Sequence, residues 1–178
     1  MSVAIKHAAL LLFGLALAGG MQGHAQAQAA NQSLITISGS VSGPTCVLST
    51  PSQEVLLPDT GTYLLGQIGS RFATGKTAEI VLTNCSLATA SRVAVSFSGP
   101  HDAAQPTHLQ TSISGLALVL TPLTPGVSGD VPMNGTATDF PLKSGTTTLP
   151  FSVSLVVESL PINLGVLTAK ATFTLSYS

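Results

Sequence analysis

The chain has 178 residues, of which 7% are charged and 44% are hydrophobic, and its formal net charge is -1. So few charges on so apolar a chain exclude a disordered tail and a coiled coil. The lysines and arginines form no basic run, which excludes a phosphate-binding surface for nucleic acid. The length predicts one domain.

The first 29 residues have the pattern of a secretory signal peptide. Lys6 and His7 precede an apolar run over residues 8–18, and small residues follow it. Cleavage before Gln28 and cleavage before Ala30 both fit this pattern. The apolar run is too short to cross roughly 30 Å of hydrocarbon, so we expect it to be removed from an exported chain.

Cys46 and Cys85 both lie in the predicted mature chain. An even pair of cysteines in an exported protein is most simply one disulfide, and the two residues would close a loop of about 40 residues. A metal site and a cysteine nucleophile are the alternatives. Because no histidine lies near either cysteine in the sequence, the pair makes a poor zinc site.

The mature chain has no amphipathic helical pattern. Its apolar residues alternate or cluster in short runs bounded by Gly, Pro, Asn and Ser, which predicts many short strands and an all-β, immunoglobulin-like sandwich. The predicted strands are Ser33–Val41, Thr45–Leu48, Glu54–Leu57, Tyr63–Ile68, Glu79–Thr83, Arg92–Phe97, Leu116–Thr121, Leu149–Val157 and Val166–Tyr177.

Two terminal segments alternate most regularly. The last predicted strand places Leu167, Ala169, Ala171, Phe173, Leu175 and Tyr177 on one face, and the first places Ile35, Ile37, Gly39 and Val41 on one face. An ordinary half-buried strand fits each pattern. An exposed strand edge beside isoleucines is an aggregation hazard, so the first strand must pair with something. Periodicity does not say whether its partner lies in the same chain.

Three stretches of the sequence resemble the pilin subunits of chaperone-usher fimbriae of the type 1 kind. The first is Ile35-Thr36-Ile37-Ser38-Gly39-Ser40-Val41, with Cys46 five residues later. The second runs from Leu64-Leu65-Gly66-Gln67-Ile68, through Phe72 and Gly75, to Glu79-Ile80-Val81-Leu82-Thr83-Asn84-Cys85. The third combines Gly165 with the ending Ala171-Thr172-Phe173-Thr174-Leu175-Ser176-Tyr177.

This resemblance implies an incomplete immunoglobulin-like pilin sandwich, completed by a donor strand from a chaperone or a neighbouring subunit. Residues 30–41 would be the N-terminal donor-strand extension, and residues 42–178 the pilin domain. Ile35, Ile37, Gly39 and Val41 would fill a neighbour's groove. The wall of this chain's own groove would carry Gly165, Leu167, Ala169, Ala171, Phe173, Leu175 and Tyr177, and a chaperone would hold the carboxylate of Ser178.

The implied function is a structural subunit of an adhesive pilus, exported through the periplasm to the cell surface. Its partners would be a periplasmic chaperone, an outer-membrane usher and neighbouring pilins in a head-to-tail polymer. The sequence leaves open whether the subunit belongs to the shaft or is a minor adaptor. The alternatives are a carbohydrate-binding tip adhesin and a free secreted lectin.

Catalysis has little support in the sequence. It lacks a Gly-x-Ser-x-Gly elbow, a phosphate-binding loop and a His-Glu-x-x-His motif. A metal site can be drawn across His101, Asp102 and His108, but such groups in a polar loop are usually solvated. We therefore expect no enzyme activity, no cofactor and no metal. A small secreted enzyme is the remaining alternative, and it would lose turnover on mutation of His101 or His108.

Overall fold

The structure, a computed structural model, describes residues 33–42, 45–58, 66–163 and 165–178, and for residues 41 and 42 it describes the backbone alone. The predicted signal peptide and its cleavage sites lie outside these ranges. Within them, no helix is long and apolar enough to cross a membrane.

Eleven strands build the described part of the chain. They are β1 (Ser33–Ser42), β2 (Val47–Leu48), β3 (Ser52–Leu57), β4 (Arg71–Cys85), β5 (Arg92–Ser98), β6 (His101–Asp102), β7 (Gln105–Gln110), β8 (Leu116–Pro122), β9 (Asn134–Pro141), β10 (Gly145–Val157) and β11 (Thr168–Tyr177). A five-stranded sheet has the order β3-β1-β11-β5-β9, and a six-stranded sheet has the order β2-β4-β10-β8-β7-β6. The two sheets form an all-β, immunoglobulin-like sandwich, as predicted.

The core lies between the inner faces of the two sheets. Phe97 of the first sheet meets Phe151 of the second edge-on, with ring centroids 5.3 Å apart. Phe140 packs on the same Phe151 ring at 5.6 Å. All three side chains are almost fully buried. Aromatic rings in edge-to-face contact add to the stabilisation that comes from burial, so this cluster ties the two sheets together.

Most predicted strands are confirmed, several with longer bounds. The prediction of a strand over Tyr63–Ile68 is wrong in its described part, because residues 66–70 form a turn. Gly69 has φ +81°, and the Ser70 hydroxyl donates to the Gln67 carbonyl at 2.7 Å. These features close the chain locally and leave Ile68 65% exposed. Residues 61–65 lie outside the described ranges.

The sequence interpretation also missed three strands, β6, β7 and β9, of which β6 and β9 lie at sheet edges. The sequence predicts a polar loop around His101 and His108, but this stretch is the β6–β7 hairpin, in which His101 pairs with Leu109. Strand β9 pairs with β5 alone. Edge strands bury little apolar surface and tolerate Pro, Asp and Gly, so their hydrophobic alternation is weak.

A disulfide joins Cys46 to Cys85, linking the start of β2 to the end of β4. Both cysteines are buried in the core. A cross-link between residues 39 apart in sequence removes conformational freedom from the unfolded chain.

Replacing Cys46 and Cys85 together with Ala is expected to lower the free energy of unfolding by about 4 kcal/mol, the loop-closure value for this separation. Denaturant unfolding of the oxidised wild type and the double variant measures this difference. Reduction of the wild type provides a second route to the same loss. An unchanged unfolding midpoint in both experiments would mean that the bridge contributes nothing.

An ion pair holds the segment before β9 against the six-stranded sheet. The Arg71 guanidinium donates to both carboxylate oxygens of Asp130, at 2.8 and 3.0 Å. The Thr121 hydroxyl donates to the same carboxylate at 2.6 Å. Partial burial opposes ionisation of Asp130, but the hydrogen bonds from Arg71 and Thr121 and the Arg71 charge outweigh it and lower the pKa of this carboxyl below 3.8.

A lowered pKa in the folded state means that ionised Asp130 stabilises the fold above the unfolded-state pKa, and that this contribution is lost as the pH falls through the folded-state pKa. Asp130→Asn is therefore expected to reduce the free energy of unfolding by about 1 kcal/mol near neutral pH, since both side chains are partly exposed. The difference from wild type should shrink below about pH 4.

Denaturant unfolding at neutral pH and at about pH 3 checks this prediction. Asp139→Asn is the matched control, because Asp139 is an exposed carboxylate of β9 with no ion pair among the described residues. An Asp130→Asn effect that is equal at both pH values would show that the charge of Asp130 is not what stabilises the segment.

Candidate functional site

The first strand of the chain lies in the interior of a sheet, between β3 and β11. It pairs parallel with β11 from Leu34–Thr168 to Ser42–Ser176. On its other side it pairs antiparallel with β3 from Ser33–Leu57 to Ser38–Ser52. The walls that β3 and β11 provide therefore form a groove, and in this structure the chain's own β1 fills it.

The side chains of β1 alternate between the core and the outer surface. Ile35 is fully buried and Ile37 is 4% exposed, whereas Ser40 on the opposite face is exposed. Fully burying an aliphatic side chain of this size contributes about 1.5–3 kcal/mol. Together the two isoleucines therefore contribute about 3–6 kcal/mol. Val41 follows them in the pattern and pairs with Leu175 through its backbone, but its side chain lies outside the described residues.

The β11 wall is built as the sequence pattern indicates. Its inward side chains are buried in the core and alternate with exposed polar ones; they are Leu167, just before the strand, and Ala169, Ala171, Phe173 and Leu175. Gly165 lies outside β11 and is exposed. The two small alanines stand opposite the two isoleucines in the register, as Ile35–Ala169 and Ile37–Ala171. Small residues on the wall thus leave room for large residues on the inserted strand.

The size relation reverses one pair further along. Gly39 pairs with Phe173, and a Cβ atom at position 39 would overlap the Phe173 ring. The ring also packs against Phe97 with centroids 6.0 Å apart, so the core restricts its movement. Glycine is therefore the residue that lets this backbone lie beside Phe173.

The end of the groove strand carries a polar group inside an apolar region. The Tyr177 hydroxyl is buried and has no hydrogen-bond partner among the described residues. Burial raises the pKa of this hydroxyl above 10.0. The next residue, Ser178, is exposed, and its main-chain oxygen accepts hydrogen bonds from the Ser91 and Arg92 amides, both at 3.0 Å.

The sequence interpretation did not identify β3 as the second wall. Val55 and Leu57 of this strand point into the core at 5% exposure each, and their period-two spacing was the available signal. Which strand they would border was not visible in the sequence, because β3 belongs to the sheet of β1 and β11 while β2, a few residues earlier, belongs to the other sheet.

Comparison with known proteins identifies this arrangement. A family model described as "Fimbrial protein" matches residues 35–178, which include most of β1, both cysteines and β11. The chain belongs to the fimbrial protein family. Members of this family are non-enzymatic structural subunits of cell-surface pili, and the chain is therefore a pilus subunit.

Solved pilus subunits share the fold of this pilin. It is similar to the P pilus rod subunit PapA, with 22% identity, a TM-score of 0.62 and coverage of 75% of this chain and 99% of PapA. It is also similar to a subunit of a chaperone-usher pilus whose structure reveals the molecular basis of rod uncoiling. The identity is 22% and the TM-score 0.66, and the match covers 79% of this pilin and 91% of that subunit.

Two further solved structures with a similar fold come from Burkholderia pseudomallei and Pseudomonas aeruginosa. An antigen and type I fimbria protein of Burkholderia pseudomallei is 27% identical, with a TM-score of 0.55 and coverage of 82% of this pilin and 98% of that chain. The CupB6 tip adhesin of Pseudomonas aeruginosa is 15% identical, with a TM-score of 0.51, and the match covers 80% of this pilin but 34% of the adhesin. Curated protein sequences give no significant match.

His101 and His108 lie in β6 and β7 of the six-stranded sheet, whereas the groove-filling β1 belongs to the other sheet. His101 Nδ1 is 2.8 Å from the Gly99 carbonyl oxygen, and His108 Nδ1 is 2.9 Å from Glu158 Oε1. Among the described residues, no group of three or more His, Cys, Asp or Glu side chains is arranged to hold a metal ion. Each of these two imidazoles has its own hydrogen-bond partner in the protein.

Gly39→Ala is expected to lower the free energy of unfolding of this pilin by about 1–3 kcal/mol, because the added methyl group overpacks the groove at Phe173. In a Phe173→Leu background the same substitution should cost less, since the ring that it overlaps is gone. A double-mutant cycle by denaturant unfolding measures the coupling, with Ser40→Ala on the exposed face as the control. Additive effects of the two substitutions would contradict the direct contact.

Tyr177→Phe removes a buried hydroxyl that makes no hydrogen bond and keeps the ring that packs on the core. The free energy of unfolding is expected to stay the same or to rise by up to about 1 kcal/mol. Tyr177→Ala, which also removes the ring, should lower it. Denaturant unfolding of the three proteins distinguishes the role of the hydroxyl from that of the ring, and a marked loss in Tyr177→Phe would reveal a hydrogen bond.

Proposed function

We propose that this pilin polymerises head-to-tail by strand exchange, with β1 of one subunit filling the groove between β3 and β11 of the next. The observation that carries the proposal is the position of β1. A terminal strand occupies the interior of a sheet, and its inward side chains complete the core. A strand with these properties is held by non-covalent contacts that an equivalent strand from another chain can reproduce.

The two kinds of contact in the groove suit such an exchange. The backbone ladders to β11 and β3 require an extended strand but no particular sequence. The pockets that hold Ile35 and Ile37 require large side chains. The position of Gly39, beside Phe173, requires a very small one. Main-chain hydrogen bonds thus supply affinity and alternate side chains supply selectivity, which is the mode of β-strand addition known from chaperone–pilin donor-strand complexes.

The geometry of donation favours a filament. Each subunit would offer β1 and accept another β1 at a different surface, the groove. Such a contact is heterologous, so it repeats along a fibre unless the rotation between subunits closes a ring. The polymer would be the surface pilus, and its contribution to cell adhesion follows from that location.

The chain's own β1 competes with this exchange. It is tethered to β3 by residues 43–51, so its effective concentration at the groove is high. The two isoleucines contribute about 3–6 kcal/mol on burial, and each ladder hydrogen bond about 1 kcal/mol, so spontaneous release is slow. A periplasmic chaperone that lends a strand to the groove would keep it open for the usher. The exposed Ser178 is accessible to basic residues of such a chaperone.

Strand exchange predicts that removing β1 leaves an unstable domain that an added β1 peptide restores. A truncated chain that begins at Val41 is expected to unfold at much lower denaturant concentration than the mature chain. A peptide of residues 30–42 should then raise its stability with increasing concentration, by about 2.7 kcal/mol at a hundred times the dissociation constant.

The matched control is the same peptide with Gly39→Leu. All its other side chains are unchanged, but the leucine would overlap Phe173. This peptide is expected to have little effect at the same concentrations. Size-exclusion chromatography with a fluorescent peptide checks that the stabilisation reflects a stoichiometric complex. A truncated chain that is as stable as the mature chain without any peptide would overturn the proposal.

A further inference from the structure

On the side that faces away from β1, the β11 wall has a strand neighbour along only part of its length. Strand β5 pairs with β11 from Thr172–Ser98 to Tyr177–Val93 and goes no further. The chain leaves β11 at Gly99, where a Cβ atom would overlap Leu109 and come within 3.1 Å of the Lys170 carbonyl oxygen. The first part of β11 is therefore without a strand partner on this side.

A single residue, in a loop that joins two strands of the other sheet, makes the hydrogen bonds at this point. Ser112, in the loop between β7 and β8, donates its amide to the Thr168 carbonyl at 2.9 Å. Its hydroxyl accepts from the Thr168 amide at 2.9 Å and donates to the Val166 carbonyl at 3.0 Å. Ser112 thus makes three hydrogen bonds, which satisfy the Val166 carbonyl and both backbone groups of Thr168.

The donor strand meets the same short stretch from the opposite side. The Leu34 amide donates to the Leu167 carbonyl at 2.9 Å, and the Leu167 amide donates to the Ser33 hydroxyl at 3.3 Å. Because backbone groups alternate along an extended strand, Thr168 faces Ser112 while Leu167 faces β1. The orientation of the Leu167 carbonyl toward a donor strand therefore depends on how the backbone of Thr168 is positioned.

We propose that Ser112 is the positioning residue for this end of the acceptor groove: it keeps residues 166–168 extended so that Leu167 can pair with an incoming strand. The relevance to assembly rests on the proposed strand exchange. The positioning itself concerns any strand in the groove, including the chain's own β1. Pre-ordering a receiving backbone reduces the conformational entropy lost on pairing, so the effect belongs to the docking of the donor.

The test is amide hydrogen exchange of the mature chain under native conditions, in Ser112→Ala, Ser112→Thr and Ser114→Ala variants. Ser112→Ala removes two of the three hydrogen bonds. The Thr168 amide is then expected to exchange about tenfold faster and the Leu34 amide, across the groove, about threefold faster. The amides of β5 and the global free energy of unfolding should change little.

The other two variants are controls. Ser112→Thr keeps the hydroxyl and should restore both amides to near wild-type rates. Ser114→Ala changes an exposed residue of the same loop whose side chain makes no hydrogen bond among the described residues, and it should leave both rates unchanged.

Three outcomes would overturn the inference. Unchanged Thr168 exchange in Ser112→Ala would mean that the hydroxyl does not hold β11. Faster exchange at Thr168 without any change at Leu34 would mean that the bond does not position the donor. Uniformly faster exchange over the whole fold would indicate general destabilisation. Since the chain's own β1 is the donor in these measurements, their result is independent of the peptide experiment that tests exchange between subunits.

Discussion

The whole structure depends on a strand being present between β3 and β11. In that position β1 satisfies the backbone of two neighbouring strands and places Ile35 and Ile37 in the core. Among the described residues β3 pairs with β1 alone, so β1 connects β3 to the rest of its sheet. Burial of apolar surface is the main driving force of folding, so the isoleucines that β1 adds to the core stabilise the sandwich.

In the proposed exchange, side-chain size would select the donor strand. Small alanines of β11 face the large isoleucines of β1, and the large Phe173 faces Gly39. This alternation fixes the register, because a shift of two residues would set a large side chain of β1 against the Phe173 ring. The fixed position of that ring comes in turn from the aromatic cluster that joins the two sheets. The proposed specificity of the groove and the stability of the core therefore rest on the same residues.

The two edges of β11 have different kinds of neighbour. On one side β5 and Ser112 belong to the folded body of the subunit, and on the other side lies a terminal strand. In the proposed polymer the first side would persist through every exchange while the second changed partners. A wall that is ordered before the donor arrives presents its hydrogen-bonding groups in place, which favours association without any change in the contacts of the donor itself. The disulfide and the Arg71–Asp130 pair lie in other parts of the sandwich.

The sequence alone determined the all-β class, the cysteine pair and the two alternating terminal segments, because period-two burial is written directly into residues such as Ile35, Ile37 and Phe173. Edge strands such as β9 escaped prediction because they bury too little apolar surface to leave a pattern. Only the tertiary structure decided that β1 fills its own chain's groove, that β3 is the second wall, and that Ser112 reaches β11. Each of these is a pairing between segments distant in sequence, and periodicity records which face of a strand is buried but not which strand lies beside it.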